Sequence, residues 1–129
     1  MMDLYREILL DHYKNPRNFG KLKDADFEHK EFNASCGDEI SIAVKLDASR
    51  KRVAELKFIG KGCAISQAAT SMLTSHAKGK TLEELHNITK EDIFKMLGTE
   101  VGAGRIKCAL IGLKTLMRGV EQWEGEKHG

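Results

Sequence analysis

The chain has 129 residues, 41% hydrophobic and 31% charged, which suits one domain over 1–129 with a core large enough to need no disulfide staples. Its 21 basic and 19 acidic residues leave a net charge of +2, too little for a general nucleic-acid binder, whose basic residues would gather in a stripe. The three cysteines are odd in number and far apart, unlike the framework of a small secreted domain, so thiols in a reducing cytoplasmic compartment are expected.

No apolar run is long enough to cross a bilayer, and Met1–Arg6 opens into an amphipathic helix, not a targeting peptide. With Asp3 as N-cap, Leu4, Ile8, Leu9 and Tyr13 recur at helical spacing until Asn15-Pro16 ends the pattern. His12 has no second ligand type at metal-site spacing, so a surface or half-buried structural role is expected. Asn15–Gly20 carries turn chemistry, because the residue before proline is pushed out of the helical region. Lys21–Asp26 reads as a polar connector, and Phe27–Phe32 as a weak edge strand. Ile40, Ile42, Val44 and Leu46 then alternate with Ser41, Ala43 and Lys45, the pattern of a strand with one buried face. Beyond an Asp47–Lys51 turn, Ala54, Leu56 and Phe58 alternate with Glu55 and Lys57, giving the second arm of an antiparallel hairpin. Arg50-Lys51-Arg52 falls in this turn and reads as solvated charge.

Cys36-Gly37-Asp38 stands at the hairpin's entrance and Gly60-Lys61-Gly62-Cys63 at its exit. In an antiparallel pair the start of one strand lies beside the end of the next, so the two segments should meet. After Cys63, the series Ile65, Ala68, Ala69, Met72 and Leu73 marks a helix that Gly79 ends. Cys63 is thereby placed at a helix N-terminus, where the partial positive charge favours a thiolate. Met72 reads as core and His76 as a partner of the helix dipole. Thr81-Leu82-Glu83-Glu84 is a capping box for a short helix, and Thr89 with Asp92 starts another that Gly98 ends. Val101-Gly102-Ala103-Gly104 lacks the glycine pattern of a phosphate loop. It leads to a long helix whose buried face is read as Ile106, Leu110, Leu113, Leu116, Met117, Val120 and Trp123, with Cys108 in its first turn. Gly125–Gly129 is expected to fray.

Cys36, Asp38, Cys63 and Cys108 thus form a set of thiolates with one carboxylate. Thiolates suit both zinc and iron–sulfur clusters, and this spacing is not the paired pattern of a zinc finger. The set is formally anionic whichever metal it holds, and Lys61, Arg105 and Lys107 stand close in sequence to offset it. A hard oxygen ligand among thiolates implies a labile site.

The run Asp11-His12-Tyr13-Lys14-Asn15-Pro16-Arg17-Asn18, followed by Cys36-Gly37-Asp38, Gly62-Cys63-Ala64-Ile65-Ser66 and Lys107-Cys108, resembles the iron–sulfur cluster scaffold family that includes IscU, the NifU N-terminal domain and SufU. The resemblance implies an α+β fold: a three-stranded antiparallel sheet packed by an N-terminal helix and several C-terminal helices. It also implies a scaffold and carrier instead of an enzyme. Such a protein accepts sulfur as persulfide from a cysteine desulfurase, binds iron and passes a [2Fe-2S] cluster to acceptor proteins. Cys36, Asp38, Cys63 and Cys108 would be the metal and cluster ligands, and Cys108 or Cys36 the first persulfide acceptor. The cluster would be held by one chain or bridged in a homodimer. The runner-up is a zinc-dependent sulfurtransferase of the SufU kind, with zinc in the same site.

Two departures from the family patterns bear on these expectations. Lys107 stands where IscU members place a histidine, which resembles the SufU branch and gives Asp38 more weight as fourth ligand, since a protonated lysine is a poor one. The step from Cys63 to Cys108 is nevertheless too short for the SufU insertion, and Val101–Gly104 replaces the Leu-Pro-Pro-Val-Lys segment through which IscU recruits its Hsp70-type chaperone.

Overall fold

A computed structural model describes residues 2–34, 37–98 and 101–126, with side chains from residue 6 onward. Helix α1, Met2–Lys14, opens the chain. It begins ahead of Asp3, so Asp3 lies in the first turn and is not the N-cap. Of the apolar residues assigned to its buried face, Leu9 is buried, but Ile8 and Tyr13 are exposed. The side chain of Leu4 lies outside the described residues. The face that α1 buries is therefore narrower than the sequence suggests.

Strands β1 (Phe27–Asn33), β2 (Asp38–Leu46) and β3 (Val53–Lys61) form one antiparallel sheet in the order β1-β2-β3. Asn33 pairs with Asp38, and Ile40 pairs with both Glu31 and Gly60. Alternate residues share a face, so Asp38 projects from the same face as Ile40, Ile42, Val44 and Leu46, all buried. The opposite face of β2 is not open as expected, since Ser41 and Ala43 are buried too. β2 is the central strand, and the longer Lys30 and Ile59 flank Ser41 on either side. The Asn15–Gly20 turn does more than reverse the chain. Phe58 donates its N–H to Asn18 O at 2.8 Å and accepts from Gly20 N at 2.9 Å, which covers part of the outer edge of β3. The Phe19 ring meets Phe58 edge-on at 5.3 Å.

Helix α2 (Ala64–Ala77) follows β3, then the short α3 (Leu82–Leu85), α4 (Lys90–Leu97), a 3-10 turn (Ala103–Arg105) and α5 (Ile106–Gly125). Both predicted capping boxes form, Thr81 with Glu84 and Thr89 with Asp92, and Gly98 caps α4 in the left-handed region. α2 and α5 pack on the sheet and on each other, while α1 and α4 pack against α2. This is the α+β architecture that the resemblance implies. Two glycines in α5 let it come close. A Cβ at Gly112 would lie 2.5 Å from Thr70 Oγ1, and one at Gly119 would lie 3.2 Å from His29 Cβ.

The buried face of α5 differs from the expected one. Leu116, Val120 and Trp123 are buried, but so are Cys108, Ala109, Ile111, Gly112, Thr115 and Gly119. Leu110, Leu113 and Met117 are half-buried, and Ile106 is exposed. Small residues carry the close contacts, leaving α5 a second apolar stripe that the fold only partly covers. Among the described residues of the expected frayed tail, Gly125 ends α5; residues 127–129 lie outside them.

His12 and the motif around it fasten α1 to α2. Ser71 Oγ accepts the Arg17 N–H at 2.8 Å and lies 2.8 Å from His12 Nδ1. Asn18 Nδ2 reaches Thr74 Oγ1 at 3.2 Å. Burial, then the charge of Arg17, holds His12 below its ordinary value, which favours a neutral imidazole accepting the Ser71 proton. His76 is also lowered, by burial and then Lys80. It stands in the last turn of α2, the place expected of a partner of the helix dipole. The hairpin turn falls where expected, but its arginines are tied down. Arg50 pairs with Asp26 at 3.1 Å and lies over the Trp123 ring, while Arg52 bonds Gly79 O at 2.5 Å.

Candidate metal centre

The hairpin register, the N-terminus of α2 and the first turn of α5 converge at one end of the sheet. Asp38, Cys63 and Cys108 each offer a ligand atom there, and these atoms all lie within 4.8 Å of one another. Among the described residues, this is the one group of three or more His, Cys, Asp or Glu side chains so arranged. The sequence singled out all three. Cys36, their expected fourth member, lies outside the described residues.

Asp38 opens β2 on the core face and is 0% exposed. Its Oδ1 accepts the backbone N–H of Cys63 at 3.0 Å. Cys63 is the N-cap residue of α2, yet its own side chain makes no cap bond. The carboxylate from the neighbouring strand takes that place, satisfying an amide that the helix leaves unpaired. Gly62 makes this possible, because a Cβ there would stand 2.1 Å from Asp38 Oδ1 and 2.7 Å from Ser66 Oγ. The hairpin pairing already brings the two segments together, and the glycine marks how closely they touch.

Ser66 is fully buried one turn into α2. Its hydroxyl donates to Cys63 O at 2.9 Å and lies 3.9 Å from Cys63 Sγ. Burial raises the Cys63 thiol, but hydrogen bonding with the Ser66 backbone N–H, the Cys108 side chain and the Ser66 side chain outweighs it. They bring Cys63 below its ordinary value against the opposing charge of Asp38. Sequence reasoning missed Ser66; its place three residues beyond Cys63, at the start of a helix, was the available signal. Cys63 is half-buried and Cys108 is 1% exposed, and neither is cross-linked. Lys61, Arg105 and Lys107 are all exposed. Soft sulfur and hard oxygen donors held this close suit a thiophilic metal with one weaker ligand. Among the described residues, no helix is long and apolar enough to cross a membrane.

The chain is similar to proteins that handle iron and sulfur. It is 38% identical over 139 aligned positions to the zinc-dependent sulfurtransferase SufU of Bacillus subtilis (strain 168), covering 95% of this chain and 92% of that protein. It is 38% identical over 112 positions to the iron–sulfur cluster assembly scaffold protein IscU of Aquifex aeolicus (strain VF5), covering 87% of this chain and 71% of that one. A solved structure of the N-terminal part of a nitrogen-fixing NifU-like protein from Brucella abortus superposes with a TM-score of 0.78 over 97% of each chain. At 20% identity that is a likeness of fold. The family model of the NifU-like N-terminal domain matches residues 4–128, and the chain belongs to that family.

Proposed function

We propose that this chain is a scaffold for iron–sulfur cluster assembly. It takes sulfur from a cysteine desulfurase, binds iron, and passes a [2Fe-2S] cluster to acceptor proteins in the cytoplasm. The convergence of Asp38, Cys63 and Cys108 within 4.8 Å carries this reading. Cys36 is the fourth proposed ligand, two positions before Asp38 on the approach to β2.

Sulfur delivery is a thiol–disulfide type of exchange. A thiolate of the scaffold attacks the outer sulfur of the donor's persulfide, a new S–S bond forms, the donor's S–S bond breaks, and the donor cysteine leaves as thiolate. Cys108 and Cys36 are the proposed first acceptors; attack at Cys108 requires that its enclosed side chain be uncovered. Conversion of the transferred sulfur to sulfide takes two electrons per sulfur from a reductant. The lowered Cys63 thiol supplies a ready metal ligand, because thiolates and not thiols bind metals. Asp38 supplies the weaker oxygen donor that lets a finished cluster go.

A second reading, a zinc-dependent sulfurtransferase, is favoured by Lys107 ahead of the third cysteine and by the similarity to the B. subtilis protein. Against it, that alignment has more positions than this chain has residues, so segments of that protein lack counterparts here. Anaerobic purification followed by incubation with a desulfurase, cysteine, ferrous iron and a reductant decides between them. The scaffold gives visible absorbance with matched iron and sulfide, and size-exclusion chromatography then tells a monomer-bound cluster from one bridging two chains. Tight stoichiometric zinc that iron never replaces would overturn the scaffold reading.

A further inference from the structure

The partly covered stripe of α5 forms the floor of a groove. Ile106, Leu110, Leu113 and Met117 line it from the helix, and Phe32 flanks it from the end of β1; its volume is about 470 Å³. Phe32 is 59% exposed and Ile106 38%, and with the half-buried Leu110, Leu113 and Met117 they make one contiguous apolar lining. One end of the groove abuts the candidate metal centre, for its lining includes Asn33 and Ala34, just before Cys36, and Lys107, just before Cys108.

The charges around the groove are of one sign in effect. Glu31 is the single acid in the lining and is already engaged by His29 at 2.5 Å, by Arg118 at 3.3 Å and more loosely by Lys114 at 3.9 Å. Lys107 is exposed and has no ion pair among the described residues. An apolar floor with spare lysine charge on its rim is complementary to an apolar anchor flanked by carboxylates. A second copy seated groove to groove would set lysine against lysine. A compact polar ligand would find the half-buried Glu31 already engaged. A nucleic acid would meet exposed Phe32 and Ile106 where it needs a basic stripe.

We propose that this groove docks an acidic, amphipathic segment of a partner protein, its apolar side chains on the α5 stripe and its carboxylates on Lys107 and Lys114. A segment so held lies alongside the cysteine-bearing end of the molecule. That such a partner exchanges sulfur or cluster there rests on the proposed function, but the docking itself does not.

The test uses the metal-free full chain and three fluorescent 15-residue helical peptides. One has Leu and Phe anchors flanked by Glu, one has Lys in place of every Glu, and one is a scramble of the first. Fluorescence anisotropy at low salt should show the acidic peptide binding at least ten-fold tighter than the other two, with affinity falling as salt rises. Phe32→Ala and Lys114→Glu should each weaken it five-fold or more with the thermal midpoint nearly unchanged, as both side chains are largely exposed. Equal binding of acidic and basic peptides, or indifference to both variants, would overturn the proposal. So would concentration-dependent self-association abolished by Phe32→Glu, which would assign the groove to a second copy. Because no cluster or metal is read, failure of the assembly experiment leaves this result standing, and the reverse.

Discussion

Gly62→Ala tests the geometry of the centre most directly. The added methyl would stand 2.1 Å from Asp38 Oδ1, 2.8 Å from Asp38 Cγ and 2.7 Å from Ser66 Oγ. None of these groups can swing into solvent, since Asp38 and Ser66 are both fully buried. Either the carboxylate gives up the Cys63 N–H, or the turn between β3 and α2 moves. Loss of a hydrogen bond to a charged group costs about 1.5–3 kcal/mol, and overpacking costs about 1–3 kcal/mol. A net loss of about 3 kcal/mol is expected, lowering the melting temperature of a domain this size by about 10 °C. Gly79→Ala is the control: Gly79 also has positive φ, +86°, but a Cβ there meets nothing within 4 Å. Backbone strain alone costs about 1 kcal/mol, or about 4 °C. Circular dichroism melts of the two metal-free variants, with cobalt titration followed through thiolate-to-metal absorbance, measure both fold and site. If Gly62→Ala melts no lower than Gly79→Ala and binds cobalt like the parent, the close seating of Asp38 against Gly62 is refuted.

Asp38 has two separable roles, as partner of the Cys63 N–H and as proposed ligand. Asp38→Asn keeps an acceptor for that amide and Asp38→Ala leaves it unsatisfied, so the metal-free alanine variant should be less stable than the asparagine variant by about 1–3 kcal/mol in urea denaturation. Both lack the hard anionic ligand and should hold a reconstituted cluster longer and transfer it more slowly; faster cluster loss in the asparagine variant would count against a role in release. Stability should also fall as the medium is acidified through the histidine range. His12 and His76 are held below their ordinary values, so the unfolded chain binds these protons more readily. Their contribution is complete above the unfolded value, about 6.5, and is lost as pH falls from there through the lowered folded values. Urea midpoints at pH 7.5 and pH 5.5 should differ, and His12→Gln should shrink the difference; an unchanged difference would show that the His12–Ser71 contact does not set it.

The sheet and the meeting of Asp38 with Cys63 were legible because period-two alternation and antiparallel pairing fix which strand ends are neighbours. Both capping boxes were legible because their hydrogen bonds are local. What escaped depends on approach distances that no window of sequence contains. Gly112 and Gly119 look like costs in a helix of good formers, yet they set how close α5 comes to α2 and β1. The apolar stripe of α5 was drawn through its large side chains, whereas the buried face follows the small ones. The structural role expected of His12 takes the form of its contact with Ser71, which lies on another helix, so only the packing of α1 on α2 identifies that partner.

The arrangement of the centre explains why its ligand-type groups occupy the ends of elements. Asp38 begins β2, Cys63 caps α2, and Cys108 stands in the first turn of α5. Each position is fixed on one side by a packed element and joined on the other to a turn or loop. The fixed sides are constrained by Ile40 against Gly60 in the sheet and by Gly112 against Thr70 between the helices. The start of α2 also turns the Ser66 N–H toward Cys63, which favours its thiolate over the thiol. Moving Cys63 or Cys108 one turn into its helix would forfeit that field, because interior amides are already paired. Among the described members of the centre only Cys63 is partly exposed, and the α5 groove reaches Lys107, the neighbour of Cys108. A partner that reaches the cysteines past Lys107 therefore approaches along an apolar floor with a cationic edge, and the chemistry of that approach is set by α5 before any thiol is touched.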